Sequence, residues 1–279
     1  MRPVTLAGGL ALLARAVGVA ALPGDEETDQ IPIDEPADMA EAPVEHVGVL
    51  MQLQEQEELD GNLENLVPDE TPINIETVLH VVTRTKESQL RIKEDILTQQ
   101  MTALNSAFQP AFISFTLRNT VWAINDNWGA SRDTDTMQRE LREGDKKTLN
   151  LYFLEDLTSG DTRILGLARL PNALRAPDAL ARDGCLVHVD TLPGGRFRNK
   201  NSGKTTIHEV GHWLGLLHTF DGGCGGRGDG VGDTPATSQP SFDCRPRDSC
   251  PGQPGQDAVD NFMDYGLEYV VQPFQVAVS

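Results

Sequence analysis

Cysteine is absent from the first 184 positions of this 279-residue chain. The four that follow, Cys185, Cys224, Cys244 and Cys250, include no C-x-x-C pair, so the spacing of a zinc knuckle is excluded. An Asn-x-Ser/Thr sequon is also absent, and N-glycosylation is therefore not expected. Beyond the N-terminal region, no stretch approaches the roughly 18 apolar residues of a membrane span, so a membrane is not an expected partner.

Basic residues are missing from the acidic segment 25–70, which contains sixteen Asp and Glu but no Lys or Arg. The whole chain has a net charge of −19, and no basic stripe is available to neutralise phosphates, so nucleic acid is not an expected partner. The segment has four prolines and few aromatics, and it cannot bury enough apolar surface to offset its conformational entropy. We interpret residues 21–70 as an acidic pro-segment or disordered leader; a plain solvated tail is the alternative.

The first residues, MRPVTLAGGLALLARAVGVAALPG, combine a charge at Arg2, an apolar stretch and small residues at Ala20 and Ala21. This order predicts a secretory signal peptide over residues 1–20 and hence a secreted, extracellular protein. A buried N-terminal helix is the alternative, although the acidic residues that follow do not continue a core. In an exported protein, four cysteines predict a disulfide framework with three pairings open.

The pattern changes at residue 71, where alternating strands and helices begin. β-Branched and apolar residues predict strands at 75–83, 112–124, 149–154 and 185–190. Helical spacing of apolar residues predicts one long helix from Lys86 to Phe108, ending before Pro110, and a short helix over Thr134–Arg142. We therefore predict an α+β or α/β domain over residues 71–279, with a mixed sheet and two principal helices.

Three of the six histidines and one glutamate lie within residues 208–218, in the stretch TTIHEVGHWLGLLHTF. In a helix, His208 and His212 project from one face, so both imidazoles can reach one ion. Glu209 is rotated by about 100° from His208 and stays off the ion. Gly215 can adopt the left-handed conformation that ends a helix, and the resulting turn brings His218 back as a third ligand.

Three histidines with an open fourth position are a donor set of catalytic zinc. Zinc lowers the pKa of a bound water from 15.7 toward about 7 and polarises a carbonyl group. Glu209 is then the expected general base, which takes the water proton and passes it to the departing amine. The segment predicts peptide hydrolysis without a covalent enzyme intermediate; an amphipathic core helix with structural histidines is the alternative.

The sequence HEVGHWLGLLHTF, together with NFMDY at 261–265, resembles the zinc signature of the metzincins and in particular the pappalysin family. Similarity extends from about Thr77 to Tyr265 and includes DGCLVHVDTLPGG, GDGVGDTPA and RDSCP. The resemblance implies a metzincin-like zincin fold, with a twisted sheet and two main helices above a cleft and an irregular lower lobe below it. It also implies that strand 185–190 forms the antiparallel edge above the cleft, where extended substrate binds.

The resemblance also assigns roles to individual residues. Glu209 would be the general base, and the zinc ligands would be His208, His212 and His218. Met263 would be the turn methionine beneath the metal, and the hydroxyl of Tyr265 would help to stabilise the tetrahedral oxyanion. Without the family, Met263 and Tyr265 would be ordinary core residues.

The remaining expectations concern the cysteines and the glycine-rich loop GGCGGRGDGVGDTPA at 222–236. The resemblance favours a disulfide between Cys224 and Cys250; it would pair Cys244 with a later cysteine, and the chain has none after Tyr265. Oxygen ligands in the loop suit calcium, which some relatives bind nearby, and a solvated Gly/Asp loop is the alternative. The candidate calcium ligands are Asp229, Asp233 and Thr234.

Together these features predict a secreted zinc metalloendopeptidase that acts on protein or peptide substrates as a monomer. The alternative from another functional class is a catalytically idle, secreted, zinc-containing binding or adhesion module, suggested by Arg-Gly-Asp at 227–229.

Overall fold

The computed structural model describes residues 72–171, 179–225 and 228–266. The predicted signal peptide and acidic segment lie outside the described residues, as does the chain after residue 266. Within the described residues, no helix is both long enough and apolar enough to cross a membrane.

A five-stranded sheet occupies the centre of the described part. The strands are β1 (Ile73–Thr83), β2 (Ile113–Ile124), β3 (Leu149–Leu154), β4 (Thr158–Ser159), β5 (Thr162–Arg163), β6 (Gly166–Ala168) and β7 (Cys185–His188). The sheet order is β2-β1-β3-β7-β6, and β4 and β5 form a separate two-stranded hairpin. Strands β2, β1, β3 and β7 run parallel to one another, whereas β6 runs antiparallel to β7. The predicted mixed sheet is therefore confirmed.

The described residues also form five α-helices. They are α1 (Lys86–Leu90), α2 (Glu94–Phe108), α3 (Asp126–Gly129), α4 (Thr134–Leu141) and α5 (Lys204–Leu214). Short 3-10 turns occur at Gln109–Ala111, Leu180–Arg182 and Val189–Thr191. The two longest, α2 and α5, contribute buried side chains to the same core cluster, so they are the two principal helices of the prediction.

The single helix predicted over Lys86–Phe108 is wrong, because Lys93 adopts an extended conformation between α1 and α2. Helix α1 is tied to the end of β3, where Ser88 Oγ donates to Glu155 Oε1 at 2.6 Å. Helix α2 instead packs its apolar face into the core. Leu90 fits the helical spacing but is 67% exposed, so apolar periodicity could not reveal the break.

The middle of the sheet is buried on both faces, whereas most of edge strand β2 is exposed or half-buried. On β3, Leu151 and Phe153 belong to the cluster that includes α2 and α5, whereas Tyr152 and Leu154 belong to a second cluster that includes Met137 of α4. Successive strand residues point to opposite faces, which explains why all six residues of β3 are buried. A largely parallel sheet requires this cover on both sides.

The predicted edge strand over 185–190 is wrong in two respects. Strand β7 ends at His188, and its next residues form a 3-10 turn in which Asp190 N donates to His188 Nδ1 at 3.2 Å. Strand β7 also lies inside the sheet, between β3 and β6. The antiparallel edge is β6, a three-residue Gly-Leu-Ala strand whose short sequence carries little β-propensity.

After α5, the described residues form turns and bends without a helix or strand. The disulfide between Cys224 and Cys250 is present and crosslinks this irregular part, as the resemblance implied. Cys185 is a buried free thiol, and Cys244 is a half-buried one.

Asp183 forms a buried ion pair with Arg142 and accepts a hydrogen bond from Trp213, which fixes α5 to the rest of the fold. Asp183 Oδ2 accepts from Arg142 Nη2 at 3.0 Å, and both side chains are more than nine-tenths buried. The other oxygen of Asp183, Oδ1, accepts from Trp213 Nε1 at 2.8 Å. Asp183 therefore joins the residue that follows α4, the turn before β7 and the last turn of α5.

We predict that Asp183→Ala lowers the free energy of unfolding by about 3–5 kcal/mol, because it leaves the Arg142 guanidinium buried without its counterion. Chemical denaturation of the wild type and of the variant measures the loss of unfolding free energy. The control is Glu76→Ala, which removes an exposed ion pair with Arg118 and should cost less than about 1 kcal/mol. Equal losses in the two variants would contradict the prediction.

Candidate metal centre and active site

Helix α5 is fixed at both ends by glycines with positive φ. Gly203, at φ 86°, precedes the helix, and its carbonyl accepts from Gln100 Nε2 of α2 at 3.0 Å. Gly215, at φ 109°, ends the helix as predicted from the sequence. The N–H of Leu216 donates back to Gly211 O at 3.0 Å, so the chain reverses immediately after the last helical turn.

The histidines come together at this reversal. His212 Nε2 lies 3.0 Å from His208 Nε2 and 3.2 Å from His218 Nε2, and all three side chains are buried. Among the described residues, this triad is the one group of three or more His, Cys, Asp or Glu side chains with ligand atoms close enough to share an ion. The structure therefore assembles the three residues that the sequence identified.

Main-chain carbonyls orient two of the rings. His208 Nδ1 donates to Phe262 O at 2.6 Å, and His212 Nδ1 donates to Leu216 O at 2.8 Å. Because a carbonyl oxygen only accepts, the proton of each neutral ring lies on Nδ1 and the lone pair lies on Nε2. This is the arrangement by which proteins orient histidine ligands.

The donor set fits a zinc ion. Nitrogens that bind one ion at about 2.0–2.1 Å in tetrahedral directions lie about 3.3–3.4 Å from one another. The two Nε2 separations of 3.0 and 3.2 Å are close to that value. An all-nitrogen set with no thiolate also matches catalytic zinc better than magnesium or calcium, which prefer oxygen.

Tyr265 lies beside the triad. Its hydroxyl is 3.3 Å from His218 Nε2, and its ring makes an edge contact with the His218 ring at 5.1 Å. Phe220 stacks on this histidine at 4.8 Å and also makes an edge contact with the Tyr265 ring at 5.1 Å. Lys200 Nζ donates to Tyr265 O at 3.2 Å, which ties the tyrosine to the loop before α5. The structure thus places a phenol donor next to the predicted metal position.

Met263 is buried, and its segment accepts hydrogen bonds from His208 and from Thr219, the residue after His218. Its carbonyl accepts from the N–H of Thr219 at 3.2 Å, and the carbonyl of the preceding Phe262 is the partner of His208. The next residue, Asp264, accepts from the N–H of Tyr265 at 2.7 Å. The turn around Met263 therefore links α5 to the tyrosine.

Glu209 is 1% exposed and packs against Gly166 of the edge strand β6. Burial, followed by the charges of Glu209 and Asp183, raises the pKa of the Cys185 thiol on the adjacent strand β7. The raised pKa and the complete burial of Cys185 both disfavour the reactive thiolate form. The sequence predicted Glu209 but gave no sign of Gly166, which is 43 positions away.

The two other described histidines lie outside the triad. Burial is the main cause that lowers the pKa of His80 and of His188 to about 4, so both are neutral at physiological pH. His80 Nε2 hydrogen bonds to Asn150 Oδ1 at 2.9 Å and stacks on Tyr152. These contacts give His80 a structural role, and His188 accepts from Asp190 N at 3.2 Å and contacts the Phe197 ring at 4.5 Å.

The candidate calcium residues line one cavity of about 350 Å³, which Met263 also lines. Asp229 is buried, its Oδ1 accepts from Val231 N at 3.0 Å, and burial raises its pKa to about 7. Asp233 is exposed and Thr234 is half-buried. Among the described residues, no three carboxylates converge here within the reach of one ion, so calcium at this loop stays a prediction.

Comparison with known proteins gives the family. The model of peptidase family M43, described as pregnancy-associated plasma protein-A, matches residues 132–274. An extracellular metalloprotease of Colletotrichum graminicola is 40% identical over 237 residues, which cover 84% of this chain and 83% of that protein. An extracellular metalloprotease of Pyricularia oryzae is 41% identical over 211 residues, or 75% of this chain and 73% of the relative.

A solved structure supports the fold. A mutant of promirolysin from Tannerella forsythia superposes with a TM-score of 0.63 at 22% identity, over 85% of this chain and 89% of that one. The predicted metzincin-like α+β fold is thereby confirmed. On the strength of the family match and the fungal relatives, the chain belongs to peptidase family M43, the pregnancy-associated plasma protein-A family, and is a metalloprotease.

Proposed function

We propose that the chain is an extracellular endopeptidase that uses zinc held by His208, His212 and His218. The observation that carries the proposal is the convergence of three buried Nε2 atoms. That of His212 lies 3.0 Å from that of His208 and 3.2 Å from that of His218. The extracellular location is supported by the names of the fungal relatives. When bound, zinc would supply Lewis acidity and a lowered pKa for the attacking water.

Glu209 moves the proton in this proposal. It follows His208 on α5 and is almost completely buried, so its carboxylate has little competing solvent. The carboxylate takes the proton from the attacking water and then delivers it to the departing amine, so that the amine leaves as a neutral group. The general base and a proposed ligand are thus fixed by the same helix.

Tyr265 stabilises the charge that develops on the carbonyl oxygen. Its hydroxyl lies 3.3 Å from Nε2 of His218, so it could donate to the oxygen of a carbonyl that approaches the proposed zinc. Two hydrogen bonds hold the tyrosine backbone, one from its N–H to Asp264 and one from Lys200 to its carbonyl. A donor fixed before the reaction begins is more effective than one that must reorient.

The substrates are proteins or peptides in an extended conformation. Among the described residues, β6 is the last strand of the sheet, and its outer side could pair with an added strand. Because β6 also contacts Glu209 through Gly166, a peptide paired with it would lie beside the general base. This replaces strand 185–190 as the expected substrate-binding edge.

The alternative of an idle adhesion module has no support from the site. Such a module needs the three histidines only, whereas this chain also buries Glu209 and positions Tyr265 at the triad. Arg227 of its Arg-Gly-Asp sequence lies outside the described residues.

We predict that Glu209→Gln lowers kcat/KM by about 10²- to 10⁴-fold, because the amide cannot accept the proton. Casein or a fluorogenic peptide reports activity, 1,10-phenanthroline should abolish the wild-type rate, and zinc should remain at one ion per chain. The control Glu140→Gln changes an exposed residue of α4 and should behave as wild type. Full activity in Glu209→Gln, or loss of its zinc, would argue against the role.

Tyr265→Phe should lower kcat by about 10²- to 10³-fold with little change in KM, because the ring contacts remain and only the oxyanion donor is lost. Steady-state kinetics on one peptide separate the two constants. Tyr152→Phe is the matched control, since Tyr152 lies in the second core cluster and its buried hydroxyl has no hydrogen-bond partner among the described residues. Equal effects of both substitutions would exclude an oxyanion role.

The division of the chain into residues 1–20, 21–70 and 71–279 is also part of the proposal. Expression of the full chain in a secreting host should give an active product that begins near residue 70, because the acidic segment is a pro-segment. Intact mass measures this N-terminus together with the disulfide and bound zinc. An active product that retains residues 21–70 would instead identify the segment as a leader or a solvated tail.

A further inference from the structure

Gly166 of the edge strand makes an unusually close contact with Glu209. A Cβ added to Gly166 would lie 2.6 Å from Glu209 Cγ and 2.5 Å from Cδ, and closer still to Oε1. Real Cβ atoms essentially never approach another heavy atom within 3.0 Å. Any side chain at position 166 would therefore occupy the space that the general base uses.

The backbone of β6 does not itself require glycine at this position. Gly166 is not among the glycines with positive φ, and it pairs with Val187 in an ordinary antiparallel register. Alanine can adopt this strand conformation without strain. The three heavy atoms nearest to the added Cβ all belong to Glu209, so this side chain is the main obstacle to alanine.

The rest of the strand agrees with this interpretation. Leu167 packs against the second core cluster on the far face of the sheet, whereas Ala168 belongs to the cluster that includes Val210 of α5. The side of β6 that faces α5 thus carries only a hydrogen atom and a methyl group. This lets the strand backbone approach the helix closely enough to contact the Glu209 side chain.

We propose that Gly166 is a positioning residue, which sets the orientation of the Glu209 carboxylate by leaving it one flat surface to pack against. The inference rests on the proposed role of Glu209 as general base. A glutamate side chain has three rotatable bonds, and burial against main chain removes most of the alternatives. A methyl group at position 166 would push the carboxylate aside by about 1 Å or more, a displacement that can cost about 100-fold in rate.

The first test is the kinetics of Gly166→Ala. We expect kcat to fall by about 10- to 100-fold while KM changes by less than about twofold and zinc stays at one ion per chain. The control Gly252→Ala has open space around its Cβ and no positive φ, so it should match wild type. An active wild type with an equally active Gly166→Ala overturns this inference alone, whereas an inactive wild type overturns the proposed function.

The second test measures stability and needs no activity. Thermal unfolding of Gly166→Ala should occur at a lower Tm than in wild type, because the methyl group and Glu209 compete for one space. In a Glu209→Ala background, the same Gly166→Ala change should leave Tm unaltered, since the competing side chain is gone. A similar fall in Tm in both backgrounds would overturn the proposal, even if Gly166→Ala is too unstable for kinetics.

Discussion

The hydrogen bonds from Nδ1 of His208 and His212 to main-chain carbonyls determine which ring nitrogens face the centre of the site. A histidine that rotates freely presents either nitrogen, and ordering three such rings carries an entropic cost. The carbonyl of Leu216 becomes available only because Gly215 ends α5 and reverses the chain. That of Phe262 comes from a segment about fifty residues later. The arrangement of the histidine triad therefore depends on both a local turn and a distant loop.

The sheet also constrains the histidine triad, because it packs against α5, the helix that carries His208 and His212. The helix is held by Gln100 at its start and by Asp183 near its end, and between them it lies against β6. Close approach requires small residues on the strand, which gives up apolar burial that a larger side chain would provide. Strand β6 thus combines a small contribution to the core with a precise contact to Glu209. Departures from good packing at functional positions are a general feature of enzymes.

Local features of the site could be predicted from the sequence, because they depend on residues within one or two helical turns. The face shared by His208 and His212 and the stop at Gly215 follow from helical geometry alone. The two errors in the fold came from longer-range effects. The break at Lys93 reflects the separate anchoring of α1 at Glu155, and the edge strand was missed because Gly-Leu-Ala has no strand pattern of its own. Gly166 could not be recognised for the same reason, since its partner is distant in sequence.

The irregular part of the fold raises the question of how a segment without helix or strand can hold Tyr265 within 3.3 Å of His218. Buried polar groups provide the answer. Asp264 Oδ1 accepts from the N–H groups of Ser241 and Tyr265, both at 2.7 Å, while the disulfide limits the freedom of the intervening loops. Burial is the main cause that raises the pKa of Asp264, because removing a charged carboxylate from water has a free-energy cost.

The cost of burying Asp264 is consistent with the role of the turn around Met263, which is to fix the orientation of Tyr265. Apolar contacts alone hold a group in place without fixing its direction, because they are not directional. Hydrogen bonds to buried groups do fix a direction, and leaving such groups unsatisfied is expensive, so few alternative arrangements compete. The turn around Met263 is bonded to Thr219 and, through Phe262, to His208. In this chain, polar contacts in the irregular part therefore set the tyrosine's orientation, and the sheet sets that of the glutamate.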